Sequence, residues 1–74
     1  MACPLTFAPS EKELKIVDIQ GGEKAKSKLL ERGLYIGEHL YMNKKNCGKI
    51  ILKVRDSKYI IGCGLANKII VEEV

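Results

Sequence analysis

The sequence predicts a mainly β domain, a small β-barrel with one inserted helix, and three observations make that prediction. Apolar residues crowd or alternate over Leu14–Ile19 and Ile50–Val54, the patterns of pleated strands with one or both faces covered. Between them lies a single segment of helical period, Glu23–Arg32. That segment runs directly into Gly33-Leu34-Tyr35-Ile36-Gly37, where two glycines four apart mark a turn from helix to strand.

With 74 residues, the chain can build one domain around one core, burying roughly 60% of the surface its unfolded form exposes. Such a core leaves a net stability of about 3–5 kcal/mol. Residues 1–12 are expected to be an irregular lead-in without an ordered strand, pinned to the core by Leu5 and Phe7, and residues 13–74 to form the folded domain. Leu14, Ile16, Val17 and Ile19 make the first strand, which Gly21-Gly22 ends. In the helix, Ala25, Leu29 and Leu30 fall on one side, with Lys26 at its edge and its stem laid flat. Gly33 suits the left-handed cap that closes a helix, with Leu34 folding back onto Leu29.

Strands are expected at His39–Asn43, Lys49–Asp56 and Lys58–Ile61. Asn43–Gly48 reads as a polar, mobile loop, and Asp56-Ser57 as a tight hairpin. Gly62-Cys63-Gly64 breaks the chain, Leu65–Asn67 forms one helical turn, and Ile69–Val71 returns as a last strand. Closing five short strands removes the exposed edges that invite aggregation, so the expected architecture is an SH3-like barrel.

Thirteen basic and nine acidic residues give a formal charge of +4. Such an excess can attract an acidic partner, but the lysines are spread along the chain as in a solubilising surface. With no Trp, one Phe and three Tyr, a base-stacking nucleic-acid surface is disfavoured. The three cysteines, Cys3, Cys47 and Cys63, are odd in number and far apart, which argues against a secreted disulfide framework and favours a reducing compartment. No apolar stretch approaches the roughly 20 residues that span a bilayer, and the N-terminus has no signal-peptide pattern. The expected location is cytoplasmic.

Catalytic chemistry finds little support. The chain has one histidine, no nucleophile with a companion base and no Gly-x-x-x-x-Gly-Lys-Ser/Thr phosphate loop, so a binding module is expected rather than an enzyme. His39, Cys47 and Cys63 are the candidate metal ligands, a soft set able to hold Fe(II) or Zn(II) weakly. Their spacing does not encode a site, and the plainer reading is an edge imidazole and two half-buried small hydrophobes. Arg32 can reach a partner's nucleotide or simply complement the dipole of its own helix.

The order and spacing of several pieces resemble the FeoA (ferrous iron transport protein A) family. They are Ile16-Val17-Asp18-Ile19, Gly21-Gly22, Leu29-x-x-x-Gly33-Leu34-x-x-Gly37 and the tail Gly62-Cys63-Gly64-Leu65-Ala66-Asn67-Lys68-Ile69-Ile70-Val71. The likeness spans about Leu14 to Val71. Ser10-Glu11 stands where relatives place a Pro-Gly type of turn, and Tyr35-Ile36 where they have a polar residue and proline. The resemblance implies a cytoplasmic accessory protein of bacterial ferrous iron uptake, with transition-metal association at family level and no required cofactor. Its implied partner is a FeoB-type membrane transporter with a cytoplasmic G-protein domain. The expected contact surface is Leu30, Arg32, Gly33, Leu34, Tyr35, Ile36 and Gly37. Two other readings stay open: a nucleic-acid-associated SH3-like module using Lys44, Lys45, Lys53 and Arg55, and a free-standing metal sensor using His39, Cys47 and Cys63, related to the barrel appended to iron-dependent repressors.

Overall fold

Alternation along the strands decides which side chains meet in the interior. In the computed structural model, which describes residues 2–46 and 48–74, six strands pair antiparallel: β1 (Cys3–Pro4), β2 (Lys12–Ile19), β3 (His39–Asn46), β4 (Lys49–Val54), β5 (Ser57–Gly62) and β6 (Ile69–Glu73). Two helices interrupt them, α1 (Gly22–Glu31) and the single turn α2 (Cys63–Ala66). The strand order is β1-β6-β2-β3-β4-β5. Leu14 and Ile16 of β2, Leu40 and Met42 of β3, Ile50 and Leu52 of β4, and Ile69 and Val71 of β6 point inward, and Leu29 and Leu34 cover them. Burying each such side chain stabilises the fold by about 1.5–3 kcal/mol. Among the described residues no helix is long and apolar enough to cross a membrane.

The mainly β, SH3-like prediction holds, with differences that have physical causes. Cys3 and Pro4 pair with Val71 and Ile70, so the lead-in does contain a short strand, and a 3₁₀ turn over Leu5–Phe7 follows it. In a 3₁₀ turn residues i and i+3 eclipse. Leu5 and Ala8 therefore share the inner side and are fully buried, while Phe7, expected to anchor the segment, is 75% exposed.

Asn43–Asn46, expected to open a mobile loop, belongs to β3. Lys44, Lys45 and Asn46 pair with Ile51, Ile50 and Lys49 beyond a bulge between Met42 and Lys44. The extra residue of that bulge resets the pleat so that the polar side chains continue the ladder. The Lys45 ammonium donates to the Ala8 and Thr6 carbonyls at 2.7 and 3.3 Å, which ties the strand to the 3₁₀ turn. In the β4–β5 hairpin Val54 pairs with Ser57, so the turn residues are Arg55 and Asp56, one position earlier than expected, with Arg55 at φ +57°.

Edge removal also takes another route. β1 and β5 end the strand order and do not pair with each other; α2 packs against β4, β5 and the 3₁₀ turn instead.

Candidate functional site: the corner between α1 and β3

Helix α1 ends in a fully formed Schellman cap. The Leu34 N–H donates to the Leu29 carbonyl and the Gly33 N–H to the Leu30 carbonyl, both at 2.9 Å, with Gly33 at φ +76°. Leu29 and Leu34 are both fully buried in one core cluster, as in the hydrophobic pairing that commonly accompanies the motif. Arg32 donates through Nη1 to the Lys28 carbonyl at 2.9 Å, so its guanidinium caps its own helix.

The next four residues form a second turn. The Glu38 N–H donates to the Tyr35 carbonyl at 3.0 Å, and Gly37 stands at the third position with φ +98°, a backbone that side-chain-bearing residues adopt only at a cost. Two bonds stitch this turn to β2: Gly37 N–H to the Ile16 carbonyl at 2.8 Å, and Ile16 N–H to the Glu38 carbonyl at 2.9 Å. The corner is therefore held by backbone bonds at both ends.

Those constraints leave an apolar surface in the open. Leu30, Tyr35 and Ile36 are 60%, 39% and 54% exposed. Together with Ile19, Lys26 and Leu34 they line a groove of about 340 Å³. Leu30 was expected inward with Ala25 and Leu29; the ten-residue helix buries only those two, and Leu30 lies one step of rotation beyond them. Leu34 is the buried floor of the groove. Gly33 and Arg32 are half-buried, and Gly37 is exposed.

A charged cluster that sequence reasoning missed joins the corner through Tyr35. Arg55 donates through Nε to Glu38 Oε2 at 3.0 Å and through Nη2 to the Tyr35 hydroxyl at 3.1 Å. Glu38 Oε1 accepts the His39 N–H at 3.0 Å. That backbone N–H is the main reason the Glu38 carboxyl is held below its ordinary value; partial burial opposes the shift, and Tyr35 and Arg55 add to it. The Glu38 charge in turn raises Arg55. Glu38 and Arg55 are 17 positions apart, and the β3–β4 pairing that sets Tyr41 opposite Lys53 brings them together, so no local sequence signal announces the pair.

The two metal candidates within the described residues, His39 and Cys63, stand at opposite ends of β3. Cys47 lies outside the described residues. His39 opens β3, and its Nδ1 is 3.2 Å from Glu13 Oε2. The Cys63 N–H instead bonds the Gly48 carbonyl at 3.1 Å, beyond the far end of β3. A strand of eight residues, at most roughly 23 Å long at about 3.3 Å per residue, lies between these points. Among the described residues no three His, Cys, Asp or Glu side chains are grouped to hold a metal ion. Of the cations offered for a nucleic-acid surface, Lys45 and Arg55 are engaged in the internal bonds above, while Lys44 and Lys53 are exposed.

Strand topology and glycine-set corner together define a small SH3-like domain that presents one helix end and its turn. The FeoA domain family model matches residues 3–73, and the chain belongs to that family. A protein of Methanocaldococcus jannaschii named as an Fe(2+) transport protein A is 36% identical over 70 residues, which cover 95% of this chain and 85% of the relative. A crystal structure of an iron uptake regulatory protein, FeoA, superimposes with a TM-score of 0.91 at 31% identity, over 100% of this chain and 99% of that one. A manganese-dependent transcriptional repressor shares the fold alone, with a TM-score of 0.89 at 14% identity over 99% of this chain and 42% of the repressor.

Proposed function

We propose that this protein is a cytoplasmic accessory module of ferrous iron uptake that docks through the α1–β3 corner onto the cytoplasmic G-protein domain of a FeoB-type transporter and adjusts its activity without turnover of its own. Membership of the FeoA family and the iron-transport name of its M. jannaschii relative support the pathway. The observation that carries the contact surface is the exposed trio Leu30, Tyr35 and Ile36 on a backbone fixed at both ends. Ordering exposed side chains on binding costs free energy, and a preorganised turn reduces that cost. Aromatic and aliphatic anchors over a buried floor are the arrangement that dominates binding energy at interfaces. Fe(II) enters as the transporter's cargo, and no step is assigned to a metal bound here.

Isothermal titration calorimetry of the purified protein against the transporter's cytoplasmic domain, in its nucleotide-free, GDP and GTP-analogue states, tests the reading. Binding in at least one state, weakened tenfold or more by Ile36→Asp, is the expected result. Absence of binding in all three states, with titrations run at two temperatures so that a near-zero enthalpy at one of them cannot hide it, would refute the partner, and undiminished binding by the Ile36 variant would refute the surface.

A further inference from the structure

The formal charge of +4 is not distributed as the spread of lysines suggested. Residues 39–62 hold six basic side chains, Lys44, Lys45, Lys49, Lys53, Arg55 and Lys58, and one acidic, Asp56; in the rest of the chain acids outnumber bases. The whole positive excess therefore sits on β3, β4 and β5.

Register places most of it on one face. Directly paired residues of antiparallel strands project to the same side, and the outward rows are Glu13–Tyr41–Lys53–Lys58, Lys44–Ile51–Ile60 and Asn46–Lys49, with the one carboxylate at the far β2 end of the first row. Lys44, Lys49, Lys53 and Lys58 are all exposed, and none is in an ion pair among the described residues. They surround an apolar centre of Ile60, 62% exposed, Tyr41, 41% exposed, and half-buried Ile51. Two carboxylates border the open depression of about 740 Å³ beside Tyr41, Lys53 and Lys58. Glu13 faces His39, and Asp56 lies at the hairpin turn beside Arg55.

We propose that this outer face of β3–β4–β5 binds the surface of an anionic phospholipid bilayer. Each lysine held near such a surface strengthens binding roughly fivefold, and four on one face act together. What selects lipid over nucleic acid is the centre of the patch: two isoleucines have no ring on which a base could stack, and a single tyrosine cannot support successive bases. An aliphatic pair can enter the boundary between headgroups and acyl chains, with a tyrosine at headgroup depth. The inference stands apart from the transporter reading, because vesicles contain no transporter.

Flotation of the full chain with phosphatidylcholine vesicles, with and without phosphatidylserine, provides the test at low and physiological salt, with a uridine-rich single-stranded oligonucleotide as competitor. Phosphatidylserine vesicles should carry the protein and pure phosphatidylcholine vesicles should not, with binding falling as salt rises. The double variant Lys53→Gln, Lys58→Gln should bind about 30-fold more weakly, and Ile60→Ser a few-fold more weakly, both with unchanged melting curves. Failure to float with phosphatidylserine at low salt overturns the proposal. So does undiminished flotation of the double variant, or displacement by the oligonucleotide at equal charge.

Discussion

The α1–β3 corner and the outer face of β3–β4–β5 both present apolar side chains to solvent, but they reach that state differently. At the corner, every exposed residue stands on backbone fixed by nearby bonds: the Schellman pair at Leu29–Leu34, the Tyr35–Glu38 turn and the stitch to Ile16. On the outer face the side chains are placed only by pairing between strands, and the lysine heads are committed to nothing within the described residues. Shape is therefore coupled to stability at the corner and nearly independent of it on the face.

The sharpest test of that difference is Leu34→Ala. Leu34 is fully buried beneath the corner, and its truncation should cost about 2–5 kcal/mol. That is comparable to the whole stability expected of a domain this size, about 3–5 kcal/mol. Urea denaturation at 25 °C should show the variant's midpoint moved close to zero denaturant.

Gly33→Ala should cost less, about 1–2 kcal/mol. A Cβ at Gly33 would meet nothing within 4 Å, so the loss comes from the left-handed backbone alone. Gly33→Asn should recover part of it, since asparagine tolerates that conformation better. A Gly33→Ala protein as stable as the parent in urea would break the coupling between the corner's shape and stability.

Substitutions that leave the backbone alone should separate binding from stability. Ile36→Asp, and on the face Lys53→Gln, should each shift stability by no more than about 0.5 kcal/mol. If Lys53→Gln proved as costly as Gly33→Ala, the contrast between the two regions would fail.

The smallest effect concerns pH. Because the folded protein holds the Glu38 carboxyl below its ordinary value of 4.5, its contribution is complete above the unfolded value and is lost as pH falls through the lower, folded one. Melting temperature should therefore decline below about pH 4.5, and Glu38→Gln should flatten that part of the profile. Arg55→Ala should flatten it less, because the His39 N–H is the larger cause of the shift. Carbon-detected NMR titration of the Glu38 carboxyl would measure the same ordering directly.

Sequence alone determined what depends on neighbours in the chain. Gly33 and Leu34 specify their cap because the left-handed residue, both hydrogen bonds and the buried Leu29–Leu34 pair lie within six positions. Alternation along Ile50–Val54 specifies a strand because the pleat has period two. Tertiary structure decided everything that needed a distant partner. β3 runs on through Lys44–Asn46 because β4 offers it a ladder and the Ala8 carbonyl receives Lys45. Phe7 is displaced by Leu5 and Ala8 because the 3₁₀ turn phases them together. Glu38 and Arg55 meet across a hairpin, and scattered lysines become one face only through register. Local preferences act over a few bonds, whereas pairing, phase and the gathering of charge are settled when remote segments compete for the same core and the same hydrogen bonds.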